Sequence, residues 1–182
     1  PGEDKLWLSY LDESDSLENR LVLKAFDGKE WSGRETAAKG SNWFVNWADF
    51  PSILVLPNGD RYVHTLEKSG SGTYAYDVQL RYSQKGKPWS SAFRPYEDAS
   101  QTGHGFVSMF PLDRGTAGIV WLDGRKYADS LQPDEMMLGY TELKDGQVSA
   151  EVAFLDERVC ACCQTAAAMT KKGPIVVYRN RT

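Results

Sequence analysis

Three cysteines stand within four positions, at Cys160-Ala161-Cys162-Cys163, and they are all the cysteine the chain has. Three readings are open. Thiolates suit a soft metal such as zinc or copper, with His104 as a further imidazole ligand. Cys162 and Cys163 would also form a vicinal disulfide. Buried structural thiols are the third reading, because free cysteine is among the most buried residue types. The spacing does not match a zinc ribbon, and an odd, clustered set is no framework for a disulfide-stapled domain. No metal and no cofactor is therefore expected. Acid–base chemistry has separate candidates in Asp49, His104 and Asp123. Asp49 could transfer a proton or hold a hydroxyl, or simply cap the entry to a strand. His104 lies between two glycines, where a backbone-open run gives an imidazole access to a ligand. His64 sits inside an apolar run with no partner spacing and reads as structural.

These residues are positioned by a repeat. The turns Pro57-Asn58-Gly59-Asp60, Asp113-Arg114-Gly115 and Lys171-Lys172-Gly173 each separate two short apolar runs, and their glycines are 56 and 58 residues apart. A second set of turns, out of phase with the first, has glycines at Gly28, Gly86 and Gly146, spaced by 58 and 60. Asn-Gly and Asp-Gly supply the positive φ of tight hairpins. The flanking runs are short and rich in β-branched and aromatic residues, with no sustained 3.6-residue period. The unit is four antiparallel strands, A to D, and units of this length that repeat are β-propeller blades. The fold expected is all-β, about three blade equivalents of a six-bladed propeller. Residues 1–50 make a partial blade, 51–105 and 106–165 two whole blades, and 166–182 the start of the next. Strands A are expected at about 51–56, 106–112 and 166–170, strands B at about 5–12, 61–68, 117–123 and 174–179, strands C at about 20–26, 76–83 and 136–143, and strands D at about 31–37, 89–95 and 148–154. A ring closes with at least four blades, so the stretch is expected to be part of a longer propeller or to complete its ring by pairing with another chain.

In such a ring strand A is innermost. The D–A connections and B–C loops open on one face, and here they are the long ones, including 68–75 and 124–135. Function is expected on that face. Aligning blades on their first turns makes Asp49, Gly105 and Cys163 equivalent, and likewise Ala48, His104 and Cys162. Strand B ends near Asp12, Glu67, Asp123 and Asn180, with Arg125, Arg179 and Arg181 close by. The expected site joins Asp49, His104 and Asp123 as catalytic groups to Asn46, Trp47, Lys68, Arg125, Arg179 and Arg181 as binding groups. Trp43, Trp47 and the tyrosines are candidates to stack on a sugar ring, while Trp31 and Trp89 should pack between blades and Trp121, inside strand B, in the core. Ser69-Gly70-Ser71-Gly72-Thr73 lacks the lysine and helix of a phosphate loop and reads as a flexible B–C loop.

Lys plus Arg number 21 against 25 Asp plus Glu, a net charge of −4 with no basic stripe, so nucleic acid is not an expected partner. No run approaches the ~18 apolar residues of a membrane span. No basic segment followed by an apolar stretch is visible at the start, Pro1, so no signal peptide is read there.

The Gly-x-x-Trp turns resemble the end of the sialidase Asp box, Ser-x-Asp-x-Gly-x-x-Trp. Ser83 to Trp89 is one residue short of it and lacks the Asp; Asp27-Gly28-Lys29-Glu30-Trp31 has its Asp at a different offset. The whole chain is also similar to bacterial sialidase-like, BNR-repeat propellers, through Asn42-Trp43-Phe44-Val45-Asn46-Trp47-Ala48-Asp49 and Cys162-Cys163-Gln164-Thr165. The resemblance implies a secreted or periplasmic six-bladed propeller, binding a carbohydrate or another small polar ligand and hydrolysing a terminal sugar. Sialidases hold the sialate carboxylate with three arginines and use a tyrosine nucleophile with an aspartate acid/base. The departure is at Asp49-Phe50-Pro51-Ser52-Ile53, where the family has Arg-Ile-Pro: an aspartate there repels a carboxylate. The alternative is a non-catalytic propeller that binds a glycan or a protein through the same face.

Overall fold

The structure, a computed structural model, describes residues 5–13, 18–129 and 135–181. It is all-β, in four antiparallel sheets. The first holds β1 (Leu6–Glu13), β2 (Asn19–Phe26) and β3 (Glu35–Gly40); the second β4 (Ile53–Val55), β5 (Arg61–Lys68) and β6 (Tyr76–Ser83). The third runs from β7 (His104–Pro111) through β8 (Thr116–Asp123) to β9 (Met136–Lys144), which pairs with both β10 (Gln147–Val148) and β11 (Ala153–Val159). The last is the hairpin of β12 (Ala166–Thr170) and β13 (Gly173–Val177). The single helical element among the described residues is one 3₁₀ turn, Arg125–Ala128, in the loop expected over 124–135; residues 130–134 of that loop lie outside the described residues.

Strands A, B and C fall where the repeat predicts them. Gly28 and Gly59 take φ of +96° and +91°, the left-handed conformation their hairpins require. The Gly115 turn is held differently: Asp113 Oδ1 accepts from the Gly115 and Thr116 amides at 2.8 and 2.7 Å. The fourth strands depart from expectation. The first begins at Glu35, with Trp31 only bridging to Phe26. The second is reduced to a bridge between Phe93 and Leu80, because Pro88 and Pro95 remove ladder donors on either side. The third is split into β10 and β11 and runs five residues past its expected end, to Val159.

Each hydrophobic cluster is a seam between two sheets. Leu21, Leu23, Ala37, Trp43 and Val63 join the first to the second, with Trp89 packed against them. Leu54, Tyr62, Val78, Leu80, Ile119 and Trp121 join the second to the third. Phe110, Val120, Leu138 and Val159 meet Ala167 and Val176 of the last hairpin. Trp121 is fully buried, its indole N–H donating to Asp123 Oδ2 at 2.9 Å. It lies flat across β9 because residue 139 is glycine; a Cβ there would meet the indole ring. On the outer sheets Leu6, Leu8, Ile175 and Val177 remain exposed.

These seams set unequal costs for truncating tryptophans. Trp121→Ala opens a large cavity in the central seam and should cost about 3–5 kcal/mol. Trp31→Ala, at a residue 45% exposed, should cost under about 1 kcal/mol. Urea denaturation of the two variants checks the contrast; equal losses would mean that the central seam does not dominate stability.

Candidate functional site

The D–A and B–C connections converge on one cavity of about 910 Å³. Phe44, Asn46, Trp47, Ala48 and Asp49 enter it from the first D–A connection, Gln101, Thr102 and Gly103 from the second, and Ala161 and Cys162 from the third. Gly72, Tyr74 and Ala75 come from one B–C loop, Tyr76 from the start of β6 and Tyr127 from the next loop. The lining is mostly aromatic and apolar with a few polar groups, the usual make-up of a small-ligand site.

Asp49 forms its floor. Asn46 Oδ1 accepts from the Ala48 amide at 2.8 Å, a local turn that leaves Trp47 92% exposed and sends Asp49 inward to 2% exposure. Asp49 Oδ1 accepts from the Phe106 amide at 2.9 Å, and Oδ2 from the Tyr76 hydroxyl at 3.2 Å. A Cβ at Gly105 would overlap Oδ2, so glycine is needed there for the carboxyl to reach the strand. Phe106 has φ of +53° and β7 shifts register between Gly105 and Ser108, which aims that amide at Asp49. Burial pushes the Asp49 carboxyl up to about 6, against the pull of the Phe106 amide and the Tyr76 hydroxyl. Burial, then the neighbouring Asp49, also push the Tyr76 phenol up, so it stays a donor. A carboxyl poised in that range can give or take a proton near neutrality.

The residues expected beside Asp49 divide into three groups. Asn46, Trp47 and Asp49 line the cavity together with Cys162. His104 and Asp123 do not: both are fully buried behind its wall, paired across β7 and β8. His104 Nε2 lies 3.2 Å from Asp98 and 3.3 Å from Asp123, its Nδ1 3.4 Å from Asp77, and its ring stacks on Tyr96 at 4.6 Å. Burial opposes ionisation of Asp123, but bonds from His104, Arg125 and Trp121 outweigh it and hold the carboxyl well below its usual range. Asp123 is thus held as a carboxylate by three partners behind the wall. The remaining binding residues lie outside the cavity. Arg125 forks onto Asp123 through two bonds of 2.8 Å. Arg179 points Nη1 at Cys163 Sγ, 3.8 Å away, and Arg181 pairs with Glu135 at 4.0 Å. Lys68 is exposed at the end of β5, its backbone tied to Asn42. Trp43 is also corrected: it is buried in the first seam against Gly40. His64 is buried as read, with Ser52 Oγ 2.9 Å from its Nδ1.

Sequence reasoning missed Phe44, and it offered the tyrosines as stacking groups without singling out Tyr74, Tyr76 and Tyr127. Phe44 stacks on Tyr76 with ring centroids 4.0 Å apart. The available signal was the aromatic pair Tyr74 and Tyr76 flanking a glycine-rich loop on the functional face.

The three thiols lie close together in the third D–A connection, Cys160 Sγ being 3.6 Å from Cys162 and 3.3 Å from Cys163. All three are free. The Cys162 amide, then the Cys163 thiol, lower the Cys160 thiol, aided by Arg179, while Cys160 raises that of Cys162.

No family model matches the chain, and no curated protein matches it. Among solved structures it is similar to an α-L-arabinanase of Penicillium chrysogenum complexed with arabinobiose, with a TM-score of 0.65 and 19% identity over 96% of this chain and 53% of that one. It is also similar to the GH93 α-L-arabinofuranosidase of Fusarium graminearum with arabinobiose (TM-score 0.63, 14% identity) and to a point mutant of the Fusarium graminearum α-L-arabinofuranosidase Arb93A with an iminosugar inhibitor (0.62, 13%), each over 96% of this chain and 53% of the other. The chain spans about half the length of these structures. At such identities the likeness establishes a propeller fold of the kind glycoside hydrolases use. They bear out the coarser expectation, a propeller of glycosidase type, and leave its sialidase and Asp-box part unshown.

The raised Asp49 carboxyl fixes a sign for stability against pH. The folded state binds this proton more tightly than the unfolded chain does. Its contribution is therefore full below the ordinary carboxyl value of 3.8 and is lost as pH rises through about 6. Relative to Asp49→Asn, the parent protein should lose up to about 3 kcal/mol between about pH 4 and pH 7. Paired denaturation curves across that range check it. A constant difference would mean that Asp49 is ionised throughout.

Proposed function

We propose that the chain forms the substrate-binding part of an exo-acting propeller glycoside hydrolase that takes a terminal neutral sugar, an arabinofuranosyl unit first among candidates. The observation that carries this reading is the raised, buried Asp49 carboxyl at the floor of an aromatic-lined cavity. No arginine or lysine lines that cavity among the described residues. A sialate carboxylate would therefore meet Asp49 with no guanidinium to balance it, whereas a neutral sugar would stack on Phe44, Trp47 or Tyr74 and bond through its hydroxyls. The arabinobiose complexes of the similar structures support the same ligand class.

In this reading Asp49 donates its proton to the leaving glycosidic oxygen as the bond to the anomeric carbon breaks. The Tyr76 hydroxyl and Phe106 amide then hold the resulting carboxylate. Glycoside hydrolysis of this type uses two carboxyl groups. No other carboxylate lines the cavity among the described residues, so the proposal draws the second from chain outside them. A polymer-trimming enzyme works where its polymer is, so the proposal includes a secreted or periplasmic location.

A second reading, a non-catalytic glycan-binding propeller, is favoured by one observation: both Asp49 oxygens are already bonded within the protein. The full-length protein should hydrolyse an aryl α-L-arabinofuranoside and not an aryl sialoside. Asp49→Asn should cut that rate by about 10²–10⁴-fold while calorimetry shows arabinobiose binding retained. Binding without hydrolysis in the parent would select the second reading. Turnover of the sialoside would sink the neutral-sugar assignment.

A further inference from the structure

We infer that Cys160, Cys162 and Cys163 form a three-thiolate site for a thiophilic d¹⁰ cation, zinc(II) or copper(I), on the wall of the cavity. The inference is independent of whether the cavity hydrolyses a glycoside.

The geometry is the first argument. The three Sγ atoms lie within 4.8 Å of one another. A zinc–sulfur bond of about 2.3 Å with tetrahedral angles places thiolates about 3.8 Å apart. The observed separations of 3.6 and 3.3 Å need only a slight spreading to admit an ion. Residues 160 and 163 approach because Ala161 and Cys162 form a turn, so a four-residue segment delivers three donors to one point.

The second argument is that the segment is held from both ends without a cross-link. The Cys160 amide donates to Arg179 O at 2.9 Å, and Val159 bridges to Asn180. On the other side Gln164 Nε2 donates to Val107 O at 3.2 Å and Thr165 Oγ1 to Phe106 O at 2.7 Å. The loop is anchored to β7 and to the last hairpin, so the donors are largely preorganised.

Charge and stoichiometry complete the case. Three thiolates on a divalent or monovalent ion leave net negative charge, and the Arg179 guanidinium stands 3.8 Å from Cys163 Sγ to offset it. Disulfide formation would leave one of three thiols unpaired, whereas a three-thiolate site uses them all. No further His, Asp or Glu completes the group among the described residues. A trigonal copper(I) site needs none, and a zinc site would keep a position for water or a ligand. Because Cys162 and Ala161 line the cavity, that position lies beside the space where a ligand would sit.

The test uses full-length protein purified under reductant, freed of metal, then offered zinc(II), copper(I) or cobalt(II) salts separately. Desalted protein should retain about one ion per chain, and cobalt should show a thiolate charge-transfer band. The triple variant C160S/C162S/C163S should lose both signals while keeping the parent's circular dichroism and melting profile. Arg179→Ala should weaken metal binding about tenfold, as loss of an outer partner to a ligand does. Should the triple variant fail to fold, alkylation protection in the parent decides instead: bound metal should slow iodoacetamide labelling of all three cysteines. No retained ion, retention unchanged in the triple variant, or labelling indifferent to metal would each overturn the site. So would a Cys162–Cys163 disulfide in protein isolated without reductant, if its reduced form takes up no ion. None of these readouts involves glycoside turnover, so failure here is distinguishable from failure of the hydrolase reading.

Discussion

Every residue of β8, from Thr116 to Asp123, is buried. A strand's side chains alternate between the two faces of its sheet, so burial along its whole length requires cover on both sides. Here the second sheet supplies one cover and the final hairpin the other, through the seams around Trp121 and around Val120 and Leu122. The central sheet cannot exist alone, and the rest of the arrangement depends on this stacking. It forces the innermost strands side by side and brings the loops at their ends to a common point. The cavity follows from that convergence, not from any single segment.

Full burial also explains the charged network behind the cavity. The central strand must end somewhere near solvent, yet its last residue, Asp123, is fully buried. A lone buried carboxylate is costly, so it is retained only with partners. Trp121, His104 and Arg125 provide them, and Asp98 and Asp77 extend the cluster around the imidazole. One consequence is functional: the arginine expected to meet a ligand is spent on holding the strand end together. No lysine or arginine lines the cavity among the described residues.

Much of the fold was legible because it is written in short-range chemistry. Turn glycines at 28, 59, 86, 146 and 173 do adopt positive φ, and the strands between them follow. The fourth strands were less legible: Pro88 and Pro95 break the ladder of the second, and the third, β10 and β11, is mostly exposed. The site was legible to the level of the loop but not of the side chain. Register placed Asp49, His104 and Cys163 together; Asp49 lines the cavity, as does Cys162 beside Cys163, whereas His104 is buried behind the wall. It could not tell that His104 turns away, because β7 carries a register shift at Gly105–Ser108 with Phe106 at φ +53°, and a non-glycine residue in that region leaves no mark in the sequence. The pairing of Asp123 with Arg125 was within reach, as an aspartate side chain readily accepts from the amide two residues on, here that of Arg125 at 3.1 Å.

The positions aligned by the repeat carry different side chains. Asp49 and Cys163 stand a few residues before β4 and β12, and Gly105 is second in β7. Asp49 brings the carboxyl. Gly105 brings nothing, and its missing Cβ is the space into which the carboxyl fits. Cys163 brings a thiol that turns from the cavity toward Arg179 while Cys162 beside it faces in. A change of side chain at one position is felt at its neighbour: the Asp49 carboxyl reaches the Phe106 amide because residue 105 has no side chain. The chemistry at this face therefore belongs to the set of equivalent positions together.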